Sequence, residues 1–93
     1  MDIEFEWDEE KNTENKRKHK VSFKEAKKVF FDPKRFETFD KKHSNFEERL
    51  ITIGFSGVKL LTVIFTERDS YVRIISARKA NKKEEEEYFY GYS

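Results

Sequence analysis

The chain has 93 residues, the length of one small domain, so we expect residues 1–93 to form a single unit. Charged residues make up 42% of it, but ten Phe, four Tyr and one Trp supply enough apolar area for a thin core and argue against disorder. It has no cysteine, no signal peptide and no apolar run of roughly 18 residues, which predicts a cytoplasmic protein without membrane contact.

Charge is distributed unevenly along the chain, although the formal net charge is only +1. Residues 11–28 hold eight Lys and Arg against two Glu, a local charge of +6, whereas residues 84–87 are four consecutive Glu. A basic end and an acidic patch suit a protein that meets a polyanion on one side. The alternative is that the charged residues form a solvent-exposed helix face that binds no partner.

The first predicted element is a short strand at residues 3–6, where apolar and acidic residues alternate. Asp8 is a good N-cap for a polar helix that runs to about His19. Ser22 begins a capping box and a second helix with an apolar stripe, which ends before Pro33. Two short helices therefore open the predicted fold.

Four strands rich in β-branched and aromatic residues follow, and a capping box at Asn81 begins a last helix that ends near Tyr90. The strands are predicted at residues 36–39, 48–55, 58–67 and 71–79. The order β-α-α-β-β-β-β-α predicts an α+β fold with a central antiparallel meander. Helices on one face of such a sheet leave the other face open for a ligand.

Arginines lie at the ends or sides of three successive strands and are expected to form a cationic cluster. They are Arg49, Arg68, Arg73 and Arg78. Strict alternation along the last strand places Tyr71, Arg73, Ile75 and Ala77 on one face and Val72, Ile74, Ser76 and Arg78 on the other. Guanidinium groups bind phosphates through paired hydrogen bonds. The alternative is that each arginine pairs with a carboxylate such as Glu47, Glu48 or Glu67 across the sheet.

His19 is the candidate proton shuttle, because imidazole exchanges protons near neutral pH. The alternative is a histidine that bonds the last carbonyls of its helix. Trp7 and Tyr71 could stack on bases, whereas the structural alternative for Trp7 is a staple between helix and sheet.

The residue types present predict neither a metal ion nor a cofactor. There is no cysteine, the two histidines lack ligand spacing, and no glycine-rich phosphate loop or Ser-His-Asp pattern occurs. Chemistry then relies on Lys, Arg, His and carboxylates. RNA suits these groups because its 2′-hydroxyl can attack the neighbouring phosphate, whereas DNA lacks that nucleophile.

Several short blocks occur in order along the chain: FEWD at residues 5–8, Lys18-His19, Val21-Ser22-Phe23, Glu48-Arg49, Thr66-Glu67-Arg68 and RIISARKA at residues 73–80. The ordered set resembles the BrnT toxins of bacterial type II toxin–antitoxin modules. The resemblance implies a RelE-like fold and a metal-independent ribonuclease that slows growth by cutting RNA. It also implies a BrnA-like antitoxin, a hetero-oligomer with it, and contact with operator DNA only through that antitoxin.

The resemblance also implies a basic signature at Lys18, His19, Arg49, Arg68, Arg73 and Arg78. Our own hypothesis assigns catalysis to His19, Arg68, Arg78 and, as an alternative base, Glu48, and RNA binding to Lys18, Arg49, Arg73, Lys16 and Trp7. The chain departs from the family pattern at Lys20, where glycine is usual, and at Glu84–Glu87, where the tail is usually basic. The remaining alternatives are a non-catalytic nucleic-acid-binding module and a protein-interaction module of the same fold.

Overall fold

The computed structural model describes residues 3–43 and 47–91. The elements in chain order are β1 (Glu4–Glu6), α1 (Glu9–His19), α2 (Phe23–Lys27), a 3₁₀ helix (Lys28–Phe31), β2 (Phe36–Phe39), a second 3₁₀ helix (Lys41–His43), β3 (Leu50–Phe55), β4 (Leu60–Arg68), β5 (Tyr71–Lys79) and α3 (Lys82–Tyr90). The predicted α+β class with three α-helices is confirmed, whereas the two 3₁₀ helices were not predicted. In the described part of the chain, no helix combines the length and the apolar character needed to cross a bilayer.

The five strands form one sheet in the order β1-β5-β4-β3-β2. Strands β2 to β5 pair antiparallel in sequence, as the meander predicts, and β2 lies at an edge. The first strand, β1, instead pairs parallel with β5, so the sheet is mixed and the predicted antiparallel meander covers only β2 to β5. The sequence of a three-residue strand does not predict which strand it pairs with or in which direction. Both depend on the path that α1 and α2 take across the sheet.

A β-bulge interrupts the pairing of β4 with β5. Ile64 is opposite Ser76 and Phe65 is opposite Ile74, which leaves Ile75 as the extra residue. Val72, Ile74 and Ala77 therefore share the buried face, whereas Arg73, Ser76 and Arg78 lie on the opposite, open face. The strict alternation predicted for this strand is wrong, because the bulge shifts its phase by one residue.

The main core lies between the helices and the buried face of the sheet. It comprises Val21, Phe23, Ala26, Val29 and Phe30 from the helical side and Leu61, Val63, Phe65, Val72, Ile74 and Ala77 from β4 and β5. The ring of Phe30 stacks edge-to-face on Phe5 and Phe65, with centroids 5.2 and 4.9 Å apart. Each such pair contributes about 0.5–1.5 kcal/mol beyond the area it buries.

The C-terminal helix α3 packs at one end of the open face. There Tyr88 contacts a small cluster formed by Ile53, Leu60 and Ala80. Phe89 of the same helix does not pack on the sheet and remains 66% exposed. Because α3 covers only one end, the rest of the open face is left as a concave surface.

Candidate functional site

Two asparagines, rather than an apolar stripe, hold helix α1 against the sheet. The side chain of Asn15 donates to the carbonyls of Val21 and Ala77, each at 2.8 Å, and accepts from the Ala77 amide at 3.1 Å. Strand β1 pairs only with residues 71–73 of β5, so within the described chain the backbone groups of Ala77 have no strand partner on that side. The Asn15 side chain supplies their hydrogen bonds instead. Asn12 accepts from the Phe23 amide at 2.9 Å. These bonds fix the end of α1 that carries Lys18 and His19.

Helix α1 ends at a strained cap. Lys20 has φ 61° and ψ 28°, in the left-handed region, and its amide donates to the Lys16 carbonyl at 3.0 Å. A side chain in this conformation costs roughly 1–2 kcal/mol, which explains why glycine suits the position. The sharp stop places His19 as the last helical residue, exposed beside β5.

The end of α1 forms one wall of a small cleft, which we call the helix cleft. Its volume is about 190 Å³, and its lining includes Lys18, His19, Ile75 and Ser76. The bulged residue Ile75 and its neighbour therefore lie against the most basic part of α1. Within the described residues, the His19 side chain takes part in no hydrogen bond or ion pair.

A second, larger cleft lies on the open face of the sheet, and we call it the sheet cleft. Its volume is about 400 Å³, and it is lined by Asp40, Arg49, Ile51, Ile64, Ser76 and Arg78. Ile51, Ile64 and Ser76 are cross-strand neighbours and form its floor. Ser76 lines both clefts, so they adjoin at this residue, with Lys18 and His19 in the lining of one and Arg49 and Arg78 in the lining of the other.

Glu84 of α3 holds the guanidinium of Arg78. Its two oxygens accept from Arg78 Nη1 and Nη2 at 2.8 and 3.0 Å, and one oxygen also accepts from Thr62 Oγ1 and the Asn81 amide, each at 2.9 Å. Burial alone would raise the pKa of the Glu84 carboxyl, but these hydrogen bonds hold it below its usual range. The carboxylate in turn raises the pKa of Arg78 through its hydrogen bonds, so the pair stays ionised near neutral pH.

Arg78 is not fully engaged by this pair. A guanidinium has five N–H donors. Two of them bind Glu84, and one makes a long bond of 3.4 Å to the Lys79 carbonyl. The side chain is 40% exposed, so at least two donors can still meet a ligand in the sheet cleft.

The four arginines do not form one cluster. Arg73 pairs with Glu6 of β1 at 2.6 Å, and Arg68 pairs with Glu47 at 3.0 Å. Arg68 lies six residues along β4 from Thr62, the register partner of Arg78. At the usual rise of a strand, this is a separation of about 20 Å. Arg49 and Arg78 share the sheet cleft, whereas Arg68 and Arg73 lie outside its lining.

Three other predicted residues lie outside both clefts. Trp7 packs edge-to-face on Phe23 at 6.1 Å, and its indole nitrogen donates to Glu9 at 3.0 Å, which is the staple arrangement. Lys16 is exposed on α1, and Glu48 is exposed just before β3.

The structure adds two cleft residues that the sequence did not single out, Asp40 and Ser76. Asp40 follows an edge strand, and its amide donates to the Arg49 carbonyl at 2.8 Å, so its position depends on the pairing of β2 with β3. Ser76 faces the clefts only because of the bulge. Neither feature leaves a local signal in the sequence.

Comparison with known proteins assigns the chain to a family. No curated protein matches the chain at a significant level. The family model for BrnT, the ribonuclease toxin of type II toxin–antitoxin systems, matches residues 7–84, which span α1 and every strand from β2 to β5. The chain therefore belongs to the BrnT family of ribonuclease toxins of type II toxin–antitoxin systems.

Proposed function

We propose that this protein is a cytoplasmic toxin with a RelE-like fold that cleaves RNA without a metal ion and is neutralised by a BrnA-like antitoxin, with which it forms a hetero-oligomer. The observation that carries the proposal is the pair of clefts that adjoin at Ser76, one lined by Lys18 and His19 and the other by Arg49 and Arg78. Basic side chains in two adjoining clefts suit a phosphate group and its neighbour along an RNA strand.

The reaction we propose uses the RNA's own nucleophile. The 2′-oxygen forms a bond to the adjacent phosphorus while the bond from phosphorus to the 5′-oxygen breaks, giving a 2′,3′-cyclic phosphate and a 5′-hydroxyl. One proton leaves the 2′-hydroxyl and one joins the departing 5′-oxygen. His19 is assigned to proton transfer, and Arg78 and Arg49 are assigned to the charge that develops on the phosphate oxygens. Glu48 remains the alternative base, and Asp40 is a second candidate because it lines the sheet cleft.

The outlying basic residues are assigned to RNA binding. Arg68 cannot share a phosphate with Arg78 at about 20 Å along the sheet, so we propose that it contacts a different phosphate, together with Arg73. Lys16 extends the basic surface of α1, and Trp7 remains a stacking candidate only through the part of its ring that is exposed. Neutralising three to five phosphates predicts that log affinity falls by roughly 2–4 per tenfold rise in salt.

Cleavage of a single-stranded RNA in EDTA tests the proposal. Wild-type protein should cut the RNA and leave a cyclic phosphate, and a 2′-deoxy substitution at the cut site should abolish cleavage. His19→Ala and Arg78→Lys should each lower the rate at least about 100-fold, while Lys82→Ala, an exposed lysine of α3, serves as the matched surface control. Failure of wild-type protein to cut in EDTA, with cutting restored by Mg²⁺, would refute metal independence.

A non-catalytic binding module is the second candidate, and the separation of about 20 Å between Arg68 and Arg78 favours it, because arginines this far apart suit several phosphates better than one reacting phosphate. The two candidates differ in the variants above. Cleavage by wild-type protein that is lost in these variants at unchanged RNA affinity supports an enzyme, whereas wild-type protein that binds RNA but does not cut it, in EDTA or with Mg²⁺, supports a binding module. Induced expression in bacteria adds a second measurement, since a toxin should arrest growth and co-expression of its BrnA-like antitoxin should restore it.

A further inference from the structure

We propose that Ser76 is a catalytic residue whose hydroxyl donates a hydrogen bond to a non-bridging oxygen of the scissile phosphate. The inference rests on the proposed function and names a residue for it. Three observations carry it: the bulge that orients the residue, its place at the junction of the two clefts, and the state of its hydroxyl.

The bulge is what brings Ser76 to the open face. If the strand alternated regularly through Ile75, with no bulge, position 76 would share a face with Ile74, which is 1% exposed in the core. A serine there would bury its hydroxyl among apolar side chains. Bulges weaken a ladder locally and are found near active sites, where they redirect side chains. Here the redirected side chains are Ser76 and Arg78, both of which line the sheet cleft.

The position of Ser76 is central to the basic groups. It is the residue that appears in the lining of both clefts, with Lys18 and His19 on one side and Arg49 and Arg78 on the other. Each cleft also contains one carboxylate, Glu14 or Asp40. A phosphate at this junction would have basic residues in the cleft on either side and a neutral donor between them. Such a donor is useful in the transition state, where charge on the non-bridging oxygens increases.

Among the described residues, the hydroxyl of Ser76 has no internal partner, and neither has that of Thr66, which is 1% exposed and closed off from any ligand. Other hydroxyls of the sheet and of the loop between β3 and β4 are used within the fold. Thr62 Oγ1 donates to Glu84, Thr52 Oγ1 donates to the Phe36 carbonyl, and Ser56 Oγ donates to the Lys59 carbonyl. For Ser76, no side-chain hydrogen bond occurs among residues 3–43 and 47–91. The residue is half-buried rather than sealed off, so its hydroxyl remains open to a ligand.

The competing explanation is purely steric, since a small residue beside Ala77 lets α1 approach β5. Replacement by alanine separates the two, because alanine is smaller still and removes only the hydroxyl. Ser70→Ala is the matched control, since Ser70 is exposed in the turn between β4 and β5, outside both clefts. Single-turnover cleavage in EDTA should fall about 10- to 100-fold in Ser76→Ala and stay at the wild-type level in Ser70→Ala. Affinity for a 2′-deoxy-substituted RNA should remain within about twofold and Tm within about 1 °C, because the hydroxyl has no internal partner to lose.

Phosphorothioate substrates give a measurement that a purely steric role would not change. Sulfur accepts hydrogen bonds poorly, so replacing the oxygen that Ser76 contacts should slow cleavage by wild-type protein for one of the two diastereomers. For that diastereomer, the ratio of the oxygen to the sulfur cleavage rate should be at least about threefold smaller in Ser76→Ala than in wild type, whereas for the other diastereomer the ratio should be the same in both proteins. Wild-type cleavage together with an equally active Ser76→Ala, or with an unaltered sulfur effect, overturns the inference but leaves the proposed function intact. Absence of cleavage by wild-type protein overturns both.

Discussion

Replacing Glu84 by Gln tests how α3 is fastened to the sheet and how Arg78 is held. The change keeps the size of the side chain but removes its charge and one of the two oxygens that accept from Arg78. Glu84 is 13% exposed and receives four hydrogen bonds, from Arg78, Thr62 and the Asn81 amide. The remaining amide oxygen can serve Thr62 and Asn81 but leaves Arg78 with at most one neutral partner.

The expected loss follows from these contacts. A hydrogen bond to a charged group contributes about 1.5–3 kcal/mol, and a fully buried pair broken on one side costs more. Arg78 is 40% exposed, so water recovers part of the loss, and we expect the free energy of unfolding to fall by about 1.5–2.5 kcal/mol. In a domain of this size, that corresponds to a Tm lower by roughly 6–15 °C.

The assay is a double-mutant cycle by thermal and urea unfolding, with Glu84→Gln, Arg78→Gln and the double variant. We expect a coupling energy of at least about 1 kcal/mol, because the two side chains are in direct contact. Glu86→Gln, a charge change on the exposed side of α3, serves as the matched control and should change stability by less than about 0.5 kcal/mol. A coupling energy near zero would refute the claim that this pair fastens the helix.

The pH dependence of the same variants gives an independent check. The pKa of Glu84 is lowered in the fold, so its contribution is fully present above the unfolded pKa of about 4.3 and is lost as the pH falls through the folded-state pKa. The difference in Tm between wild type and Glu84→Gln should therefore be constant near neutral pH and shrink towards pH 3. A difference that grows on acidification would contradict the assignment.

Three further changes follow from local features. Thr66 is 1% exposed, and its Oγ1 has no hydrogen-bond partner in the part of the chain that the structure describes. Thr66→Val should therefore raise the free energy of unfolding, measured by urea melts, by about 1 kcal/mol. A decrease would show that the hydroxyl does have a hydrogen-bond partner. Lys20→Gly relieves the left-handed cap and should add about 0.5–1 kcal/mol, whereas Lys18→Gly in the last turn of α1 should destabilise the protein. Burial and then the hydrogen bond to Asp32 raise the pKa of Tyr88 to about 12. The neutral phenol therefore stabilises the fold below the unfolded pKa of about 10 and loses this effect as the pH rises towards 12, and Tyr88→Phe should flatten that part of the Tm profile.

The helices could be predicted because capping residues close in sequence mark where they begin. Asp8 caps α1 through bonds to two backbone amides, and Asn81 and Glu84 form the reciprocal capping box of α3. The bounds of β5 were also predicted, since residues 71–79 contain Val72, Ile74 and Ile75 and lie between two turn signals. Each of these features depends on residues within about four positions of one another, which is the range over which sequence patterns are informative.

The bulge and the partners of the arginines could not be predicted in this way. The extra residue Ile75 looks like any β-branched strand residue, and its effect depends on the register against β4. Arg73 finds its carboxylate in β1 and Arg78 finds its carboxylate in α3, at sequence separations that no local pattern covers. Contacts between residues distant in sequence therefore decide where each arginine lies, and of the four predicted to cluster, Arg49 and Arg78 share a cleft.

The pairing of arginines with carboxylates determines what RNA must displace. Arg68 and Glu47 are 53% and 38% exposed, and an ion pair this solvated contributes about 0–1 kcal/mol, so a phosphate can replace Glu47 at little cost. Glu84 is 13% exposed and holds Thr62 and the start of α3 as well as Arg78, so it should stay in place while the free donors of Arg78 bind the ligand. RNA binding is thus expected to exchange the partner of Arg68 but to keep that of Arg78, because only the second carboxylate is also part of the fold.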